Sequence, residues 1–162
     1  MRKSTMLALV TGLLFAAAPV SIAVAADAAL SNVAGNWQTE PDDGAVGIVQ
    51  VSVDGAGNLQ GRLVGGNHPG LKDVNNPDAS ARNLELRGQV ILRNMKYDGD
   101  GHWSGGTIYR ASNGKTYKCN VTMASDGRLD VRAYIGFSLL GLTQHWKRYT
   151  SASMDLSPPA AK

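Results

Sequence analysis

The sequence predicts an all-β domain, a single antiparallel up-and-down barrel of about eight strands with almost no helix. Short segments rich in valine, isoleucine, threonine, tyrosine and tryptophan recur along the chain, and turns that carry glycine separate them. The clearest four lie between His102 and Tyr149, where Asn113-Gly114 and Asp126-Gly127 mark tight turns. Because all connections but one are short, such a series removes its exposed edges best by closing on itself. A sandwich of two sheets is the alternative architecture.

The N-terminus has the pattern of a secretory signal peptide over residues 1–26. Arg2 and Lys3 form a basic start, residues 6–18 are apolar, and small residues precede a cleavage point after Ala26. The apolar run is too short to cross a bilayer comfortably, and no cysteine lies at the cleavage point to accept a lipid. We therefore expect an exported protein, soluble after cleavage, in the periplasm or cell envelope.

Charge and cysteine content exclude some classes of protein. The chain has 16 Lys and Arg and 13 Asp and Glu, a net charge of +3; without Arg2 and Lys3 the balance is 14 to 13, which is +1. A chain so nearly neutral lacks the concentrated basic face that nucleic acid requires. Cys119 is the single cysteine, so no internal disulfide forms, and its place inside a strand predicts a buried thiol rather than a reactive one.

Three strands follow the signal segment. Residues 35–39 open the first, and residues 46–53 form the second after a turn that contains proline and glycine. Valine alternates on one face of the second strand, and Val46 and Ile48 supply an apolar opposite face, so this strand should be covered on both sides. Residues 59–64 return after a glycine-rich loop.

Residues 67–82 interrupt this series of strands. The segment reads NHPGLKDVNNPDASAR, has no hydrophobic period, and contains two prolines that exclude a central strand. Its asparagines and aspartates favour turns in which the side chain bonds the backbone. At about 16 residues it is longer than an ordinary connection, and such loops are often functional.

The remaining strands occupy the C-terminal half. Residues 84–97 are predicted as one strand, and the four segments named above follow, each with alternating faces. The first of those four should place Trp103 and Tyr109 on the same face. Residues 152–162 are rich in alanine, serine and proline, which predicts a disordered tail after a barrel domain over residues 27–151.

Gly35-x-Trp37 in the first strand and Arg148 in the last resemble the signature of the lipocalin and calycin barrels. In those folds the tryptophan closes the barrel floor and the arginine packs across its ring, a contact worth about 0.5–2 kcal/mol. The resemblance therefore implies structural roles for Gly35, Trp37 and Arg148.

Almost the whole chain after residue 26 resembles a bacterial exported family, the domain of unknown function 2147 (DUF2147). The matching segments are Gly35-x-Trp37, Asp73 to Asp78 with Arg82, Gly106 to Tyr109, Asn113 to Tyr117, Tyr134 to Gly141 and Thr143 to Arg148. The resemblance implies a small calycin-like barrel in the cell envelope and no established activity. This chain has Arg110-Ala111 where the family usually has Asp-Pro, which changes the charge of one loop. It has Ala133 where glycine is usual, which should only stiffen a strand.

No polar cluster has the pattern of a catalytic or metal site. The three histidines lack zinc-ligand spacing, and no Gly-x-Ser-x-Gly elbow supports a Ser-His-Asp triad. The oxygen-rich segment 73–78 suits a hard cation, but the EF-hand pattern fails at Asp78 and Leu84. A loop held by side-chain turns and an aspartate–Arg82 pair is the preferred interpretation. The polar candidates are Asp73, Asn76, Asp78, Arg82 and Lys115.

We therefore predict no metal, no cofactor and no enzymatic activity. An enzyme would require convergent polar groups at one barrel end, such as Asp73, Arg82 and Lys115. Such a site would also show perturbed pKa values.

The aromatic residues favour a binding function. A barrel of about eight strands is either filled or holds one small ligand, so core and pocket are equal alternatives for these side chains as a group. The candidates for contact with a small hydrophobic or amphipathic ligand are Trp37, Tyr109, Tyr117, Tyr134, Phe137 and Trp146. The alternative is a structural or interaction protein that acts through residues 67–82 or the apolar loop 136–141. For that loop a plug over the barrel end ranks first, a ligand lid second and a membrane contact third.

Overall fold

The computed structural model describes residues 30–150; the predicted signal peptide and the predicted tail lie outside this range. Eight antiparallel strands form one closed barrel, in which each strand pairs with its neighbours in sequence and the last pairs with the first. The strands are β1 (Gly35–Gln38), β2 (Gly47–Val53), β3 (Leu59–Gly66), β4 (Val90–Gly99), β5 (His102–Arg110), β6 (Lys115–Met123), β7 (Leu129–Tyr134) and β8 (Gly141–Arg148). The predicted up-and-down barrel is confirmed, and the sandwich is excluded.

Helical structure within residues 30–150 is confined to residues 30–33 and the 3₁₀ turn Ala79–Ala81. No helix in that range has the length and apolar character of a membrane span. The prediction of a domain with almost no helix is therefore confirmed for the described residues.

Alternate connections lie at the same end of the barrel because neighbouring strands run in opposite directions. One end, here called the mouth, carries the loops 39–46, 67–89, 111–114 and 135–140. The other end, here called the floor, carries the loops 54–58, 100–101 and 124–128 together with the helical residues 30–33.

A hydrophobic core fills the floor half of the barrel. Its largest members are three fully buried tryptophans, Trp37, Trp103 and Trp146. Each indole N–H donates a hydrogen bond: to the carbonyl of Val33 at 2.8 Å, to the carbonyl of Gly57 at 2.9 Å and to the side chain of Gln144 at 2.8 Å, respectively. The large rings are thus buried without leaving an indole donor unsatisfied, which would be costly.

Trp37 and Arg148 join the first and last strands at the floor. They are register partners, and the guanidinium carbon lies 4.0 Å from the centre of the indole ring. The same guanidinium donates to the carbonyl oxygens of Ala34, at 2.7 Å, and Asn32. Gly35, at φ +125°, leaves room for it, since a Cβ there would lie 2.6 Å from the nearest guanidinium nitrogen. The structure thus places the arginine over the indole as the lipocalin resemblance implies.

β5 does not keep the single face predicted for Trp103 and Tyr109. Its register against β6 shifts between Trp103 and Gly106, and Gly105 adopts φ +71°. An extra residue in a strand turns all later side chains to the opposite face. Ile108 therefore continues the inward face and packs against the core, whereas Tyr109 borders the mouth cavity and directs its hydroxyl to Asp73.

The loop before β4 is longer than predicted, because the strand begins at Val90 rather than at residue 84. Residues 67–89, here called the arm, fold back on themselves. The Asp73 N–H donates to the Leu84 carbonyl at 3.0 Å, and a β-bridge lies beside this bond. The arm is therefore a short antiparallel unit over the mouth.

Candidate functional site

The mouth half of the barrel contains a cavity of about 730 Å³ that is open to solvent and reaches inward to Trp146. This volume lies within the range of about 300–1,000 Å³ typical of small-molecule sites. Side-chain size explains why the core stops there: tryptophans fill the floor half, whereas Gly47, Gly65 and Ala133 lie in the cavity wall. The barrel is thus packed in one half and hollow in the other.

Apolar side chains form most of the inner wall, which includes Leu63, Leu86, Ile91, Ile108, Val131, Ala133 and Trp146. Several of them also pack against the floor core, so the wall and the core are one continuous apolar surface. At the rim the wall ends in exposed apolar residues, namely Leu71, Val74, Ile135, Leu140 and Leu142. A predominantly apolar wall with few polar groups is characteristic of sites for small organic ligands.

An ion pair ties two loops of the mouth together. Arg110 Nε donates to Asp42 at 3.0 Å, and the Ser112 hydroxyl donates to the same carboxylate at 2.7 Å. The bond from Arg110 holds the pKa of Asp42 below its ordinary value, against the opposing effect of burial. Because the pair requires a cation at position 110, an acidic residue there would break it.

Two asparagines fasten the arm to the neighbouring loops. The Asn67 side chain accepts a hydrogen bond from the Val46 N–H at 2.8 Å, and the Asn75 side chain donates to the Ser112 carbonyl at 2.9 Å. Gly114 permits the second contact, since a Cβ there would collide with the Asn75 backbone. Three of the four mouth loops are thus held together.

Asp73 anchors the arm to the barrel wall. Its side chain is 0% exposed, accepts a hydrogen bond from the Tyr109 hydroxyl at 2.6 Å and accepts a second from the Asn76 amide at 2.7 Å. Burial, and then the bond to Asp73, raise the pKa of Tyr109 to about 12, so its hydroxyl remains a donor at neutral pH. Asp73 does not line the cavity, and the arrangement is that of an anchor.

The other polar candidates of the arm do not converge. Asp78 accepts from the Ser80 N–H and caps the 3₁₀ turn. Arg82 Nε donates to the Asn76 carbonyl at 2.8 Å. The hydrogen bonds from Ser80 lower the pKa of the Asp78 carboxyl, and the attraction of Arg82 adds to this effect; the expected interaction of Arg82 with an aspartate is limited to that attraction. Arg82 and Lys115 are exposed whereas Asp73 is buried. Among the described residues, no group of three or more His, Cys, Asp or Glu side chains is placed to hold a metal ion.

The cavity wall contains four of the six predicted ligand contacts, namely Tyr109, Tyr117, Tyr134 and Trp146. Trp37 does not line the cavity, because β1 places it in the floor core, where its role is structural. Phe137 does not line it either and is 80% exposed. The structure thus places these two predicted contacts outside the cavity.

The loop after β7 does not plug the barrel end, which was the preferred prediction. Phe137 and Leu139 are 80% and 89% exposed, and Leu140 is also exposed. The hairpin formed by β7 and β8 projects from the mouth, so its tip covers no core.

Sequence reasoning did not identify the aliphatic residues Leu63, Ile91 and Val131 as part of the cavity wall. Their alternating pattern is the same as that of core residues on the same strands. The small residues at Gly65 and Ala133 are the one signal that indicates a gap, and it becomes informative only when the facing strands are known.

The comparisons with known proteins agree with this geometry. No curated protein matches the chain. The fold is similar to a solved structure described as "Protein HP1028 from the human pathogen Helicobacter pylori belongs to the lipocalin family", with a TM-score of 0.66 and 25% identity over 72% of this chain and 82% of that one. The family model described as "Uncharacterized protein conserved in bacteria (DUF2147)" matches residues 35–148, from the start of β1 to the end of β8. The chain therefore belongs to the DUF2147 family and has a lipocalin-like fold.

Proposed function

We propose that this protein is an exported, non-enzymatic component of the cell envelope that binds a small hydrophobic or amphipathic molecule in the mouth cavity. The observation that carries the proposal is the cavity of about 730 Å³ above a packed floor. The likeness to a lipocalin-family protein supports it, since barrels of about eight strands can hold one small ligand. The signal-peptide pattern of residues 1–26 supports export.

The distribution of polar groups favours a ligand with one polar end. Deep in the cavity the wall is aliphatic and aromatic, and Gln144 is one of its few polar residues. Charged groups such as Glu40 and Lys72 lie on the mouth loops, and Arg110 lies at the mouth end of β5. A ligand that buries its apolar part and leaves its polar end among these groups avoids desolvating the polar end.

The use of the titratable groups supports binding rather than catalysis. Asp42 and Arg110 are engaged with each other, and Asp73 is buried where the arm meets Tyr109. A catalytic acid or base must instead lie within reach of the reacting group.

Native mass spectrometry of the protein purified from a periplasm tests the proposal by revealing a co-purified small molecule. Titration with an apolar fluorescent probe then locates the site. Ala133→Trp introduces an indole into the cavity wall and should weaken probe binding about tenfold or more, since it fills apolar volume that the probe needs. Ala56→Trp, on an exposed floor loop, adds the same indole outside the cavity. Unchanged probe affinity in a folded Ala133→Trp protein would rule out the cavity as the site.

A second candidate function is that of an interaction protein acting through the arm or the β7–β8 hairpin. The observation that favours it is the position of the exposed large hydrophobic residues, which are Leu71, Val74, Leu84, Ile135, Phe137, Leu139, Leu140 and Leu142. All of them lie on these two units. This role predicts a stable complex with another protein that Phe137→Asp dissociates while probe binding is unchanged, which size-exclusion chromatography would detect.

A further inference from the structure

We infer that the β7–β8 hairpin docks the mouth of the barrel on an anionic lipid bilayer, and that the cavity takes its amphipathic ligand from that bilayer. The inference rests on the proposed binding function and names the source of the ligand.

The hairpin presents an apolar surface that continues into the cavity. Phe137 and Leu139 at its tip are exposed and lie beyond the cavity lining. Ile135 and Leu142 at its base are exposed and also line the cavity. Isolated exposed hydrophobic residues are common, but a contiguous exposed patch marks an interaction surface. Here that patch leads from solvent into the binding site.

Arg132 holds the tip in a defined shape. Its guanidinium donates to the Ser138 carbonyl at 2.8 Å, to the Leu139 carbonyl at 3.3 Å and to the Thr143 hydroxyl at 3.0 Å. A further backbone bond runs from the Leu140 N–H within the loop at 3.0 Å. Because unpaired backbone groups are costly in an apolar medium, a loop that satisfies its own carbonyls can enter the edge of a bilayer.

Among residues 30–150, no hydrogen bond joins loop 135–140 of the hairpin to another loop of the mouth. The arm, loop 39–46 and loop 111–114 are joined by Asn67, Asn75 and the Asp42–Arg110 pair. Within the described part of the chain, the hydrogen bonds recorded for loop 135–140 stay inside its own hairpin. A ligand can therefore enter beside the hairpin without breaking one of the ties.

Near the mouth, the charges on β6 and on the hairpin are basic. Residues 110–122 contain Arg110, Lys115 and Lys118 and no acidic residue. On the hairpin, Arg132 is the charged residue nearest the tip, and the one acid, Asp130, lies near the floor end of β7, where it pairs with Arg128 and His145. Lys118 is exposed and pairs in register with Tyr134 at the base of the hairpin. Basic residues beside an apolar insertion are attracted to anionic headgroups, which complements such a surface.

A bilayer fits this surface better than a protein partner does. A protein seated on the hairpin would cover Ile135 and Leu142 and so obstruct the apolar path into the cavity. A bilayer instead places amphipathic molecules at the start of that path. A bilayer is therefore the partner that can bind the tip and at the same time supply the cavity with its ligand.

Sedimentation with sucrose-loaded vesicles tests the docking directly. The protein purified after removal of its predicted signal peptide should sediment with vesicles of phosphatidylcholine and phosphatidylglycerol. Less of it should sediment with vesicles of phosphatidylcholine alone, or with the mixed vesicles at raised salt. Phe137→Asp combined with Leu139→Asp should lower the partition coefficient about tenfold or more. The matched control is Ala56→Asp combined with Ser125→Asp, which adds the same charge on exposed floor loops and should bind vesicles as the wild type does.

Three results would overturn the inference: wild-type protein that stays in the supernatant with both kinds of vesicle, an equal loss in the charge-matched control, or a wild-type dimer in solution that the tip variant dissociates.

Uptake of the apolar fluorescent probe separates failure of the docking inference from failure of the proposed binding function. The tip variants should bind the probe from water as the wild type does. Their rate of probe uptake from loaded vesicles should be lower than that of the wild type by about tenfold or more. Wild-type protein that takes no probe from water would refute the binding function itself.

Discussion

The Tyr109 hydroxyl donates a hydrogen bond to the buried carboxylate of Asp73 at 2.6 Å, and this bond fastens the arm to the barrel wall. Tyr109 lies on β5, whereas Asp73 lies in a connection that has left the sheet. The pair therefore holds one side of the cavity mouth in place, and several of the predictions below concern how the mouth is held.

Tyr109→Phe should destabilise the protein by about 1–3 kcal/mol, because it leaves a buried carboxylate oxygen without its donor. Urea unfolding monitored by tryptophan fluorescence would measure the change. Tyr97→Phe is the matched control, since the buried Tyr97 hydroxyl has no hydrogen-bond partner among the described residues. Its loss should be neutral or stabilising. Equal midpoints for the two variants would contradict the anchoring role of Tyr109.

One of the five tyrosines should ionise with a pKa of about 12, which is the value for Tyr109. Ultraviolet absorbance of tyrosinate during alkaline titration would show this step, and Tyr109→Phe should abolish it. Because the pKa is higher in the folded state than the ordinary value of 10.0, the stability linked to this group is complete below pH 10.0. It should be lost as the pH rises towards 12. A titration in which all tyrosines ionise together would refute the assignment.

Arg148→Met should destabilise the protein by about 2 kcal/mol, because it removes the cation from the Trp37 ring and the donors to two backbone carbonyls. Lys147→Met removes an adjacent exposed cation and should change the free energy of unfolding by less than about 0.5 kcal/mol. Chemical denaturation of both variants measures the difference. If both lose the same amount, the floor contact contributes no specific stability.

Arg110→Asp replaces the cation of the pair by an acid and so places two carboxylates against each other at the mouth. Since the pair is partly exposed, we expect a loss of only about 0.5–1 kcal/mol. The exchanged double variant Asp42→Arg with Arg110→Asp should recover most of it. The pKa of Asp42 is lowered by Arg110, so the contribution is present above the unfolded-state pKa and is lost as the pH falls through the folded value. A double variant no better than Arg110→Asp would argue against the tie.

The Cys119 thiol should be inert towards thiol reagents at neutral pH in the folded protein. It is fully buried, and burial raises its pKa to about 12, which leaves almost no thiolate to react. Ellman's reagent should label it only after unfolding in urea. Ser52→Cys, at an exposed position of β2, provides a thiol that should react at once. Rapid labelling of the native single cysteine would refute the buried placement.

The β-segments and their closure could be predicted from the sequence because they depend on local chemistry. Alternating apolar residues fix one face of each strand towards a core, and turns with glycine reverse the chain. Gly35, Trp37 and Arg148 were also identifiable, because they resemble the signature of the lipocalin and calycin barrels, and the structure brings Trp37 and Arg148 into contact.

The arm and the face of Tyr109 could not be predicted in the same way. A bulge near Gly105 shifts the register by a geometry that the alternating pattern does not reveal. Asp73 appeared to be one of several polar loop residues, yet it alone is fully buried. Its burial depends on Tyr109 and Asn76, which reach it from different parts of the chain.

The sequence by itself determined a closed eight-stranded barrel, with its arginine–tryptophan contact and its buried thiol. Only the tertiary structure decided that the barrel is packed at the floor, hollow at the mouth, and bordered there by a hairpin whose apolar tip faces solvent. The physical reason is that side chains lining the core and side chains lining the cavity both alternate along a strand with a period of two residues. Whether space remains depends on which side chains from all the strands meet at the same height. At the floor tryptophans meet and fill the interior, and at the mouth Gly65 and Ala133 leave it open.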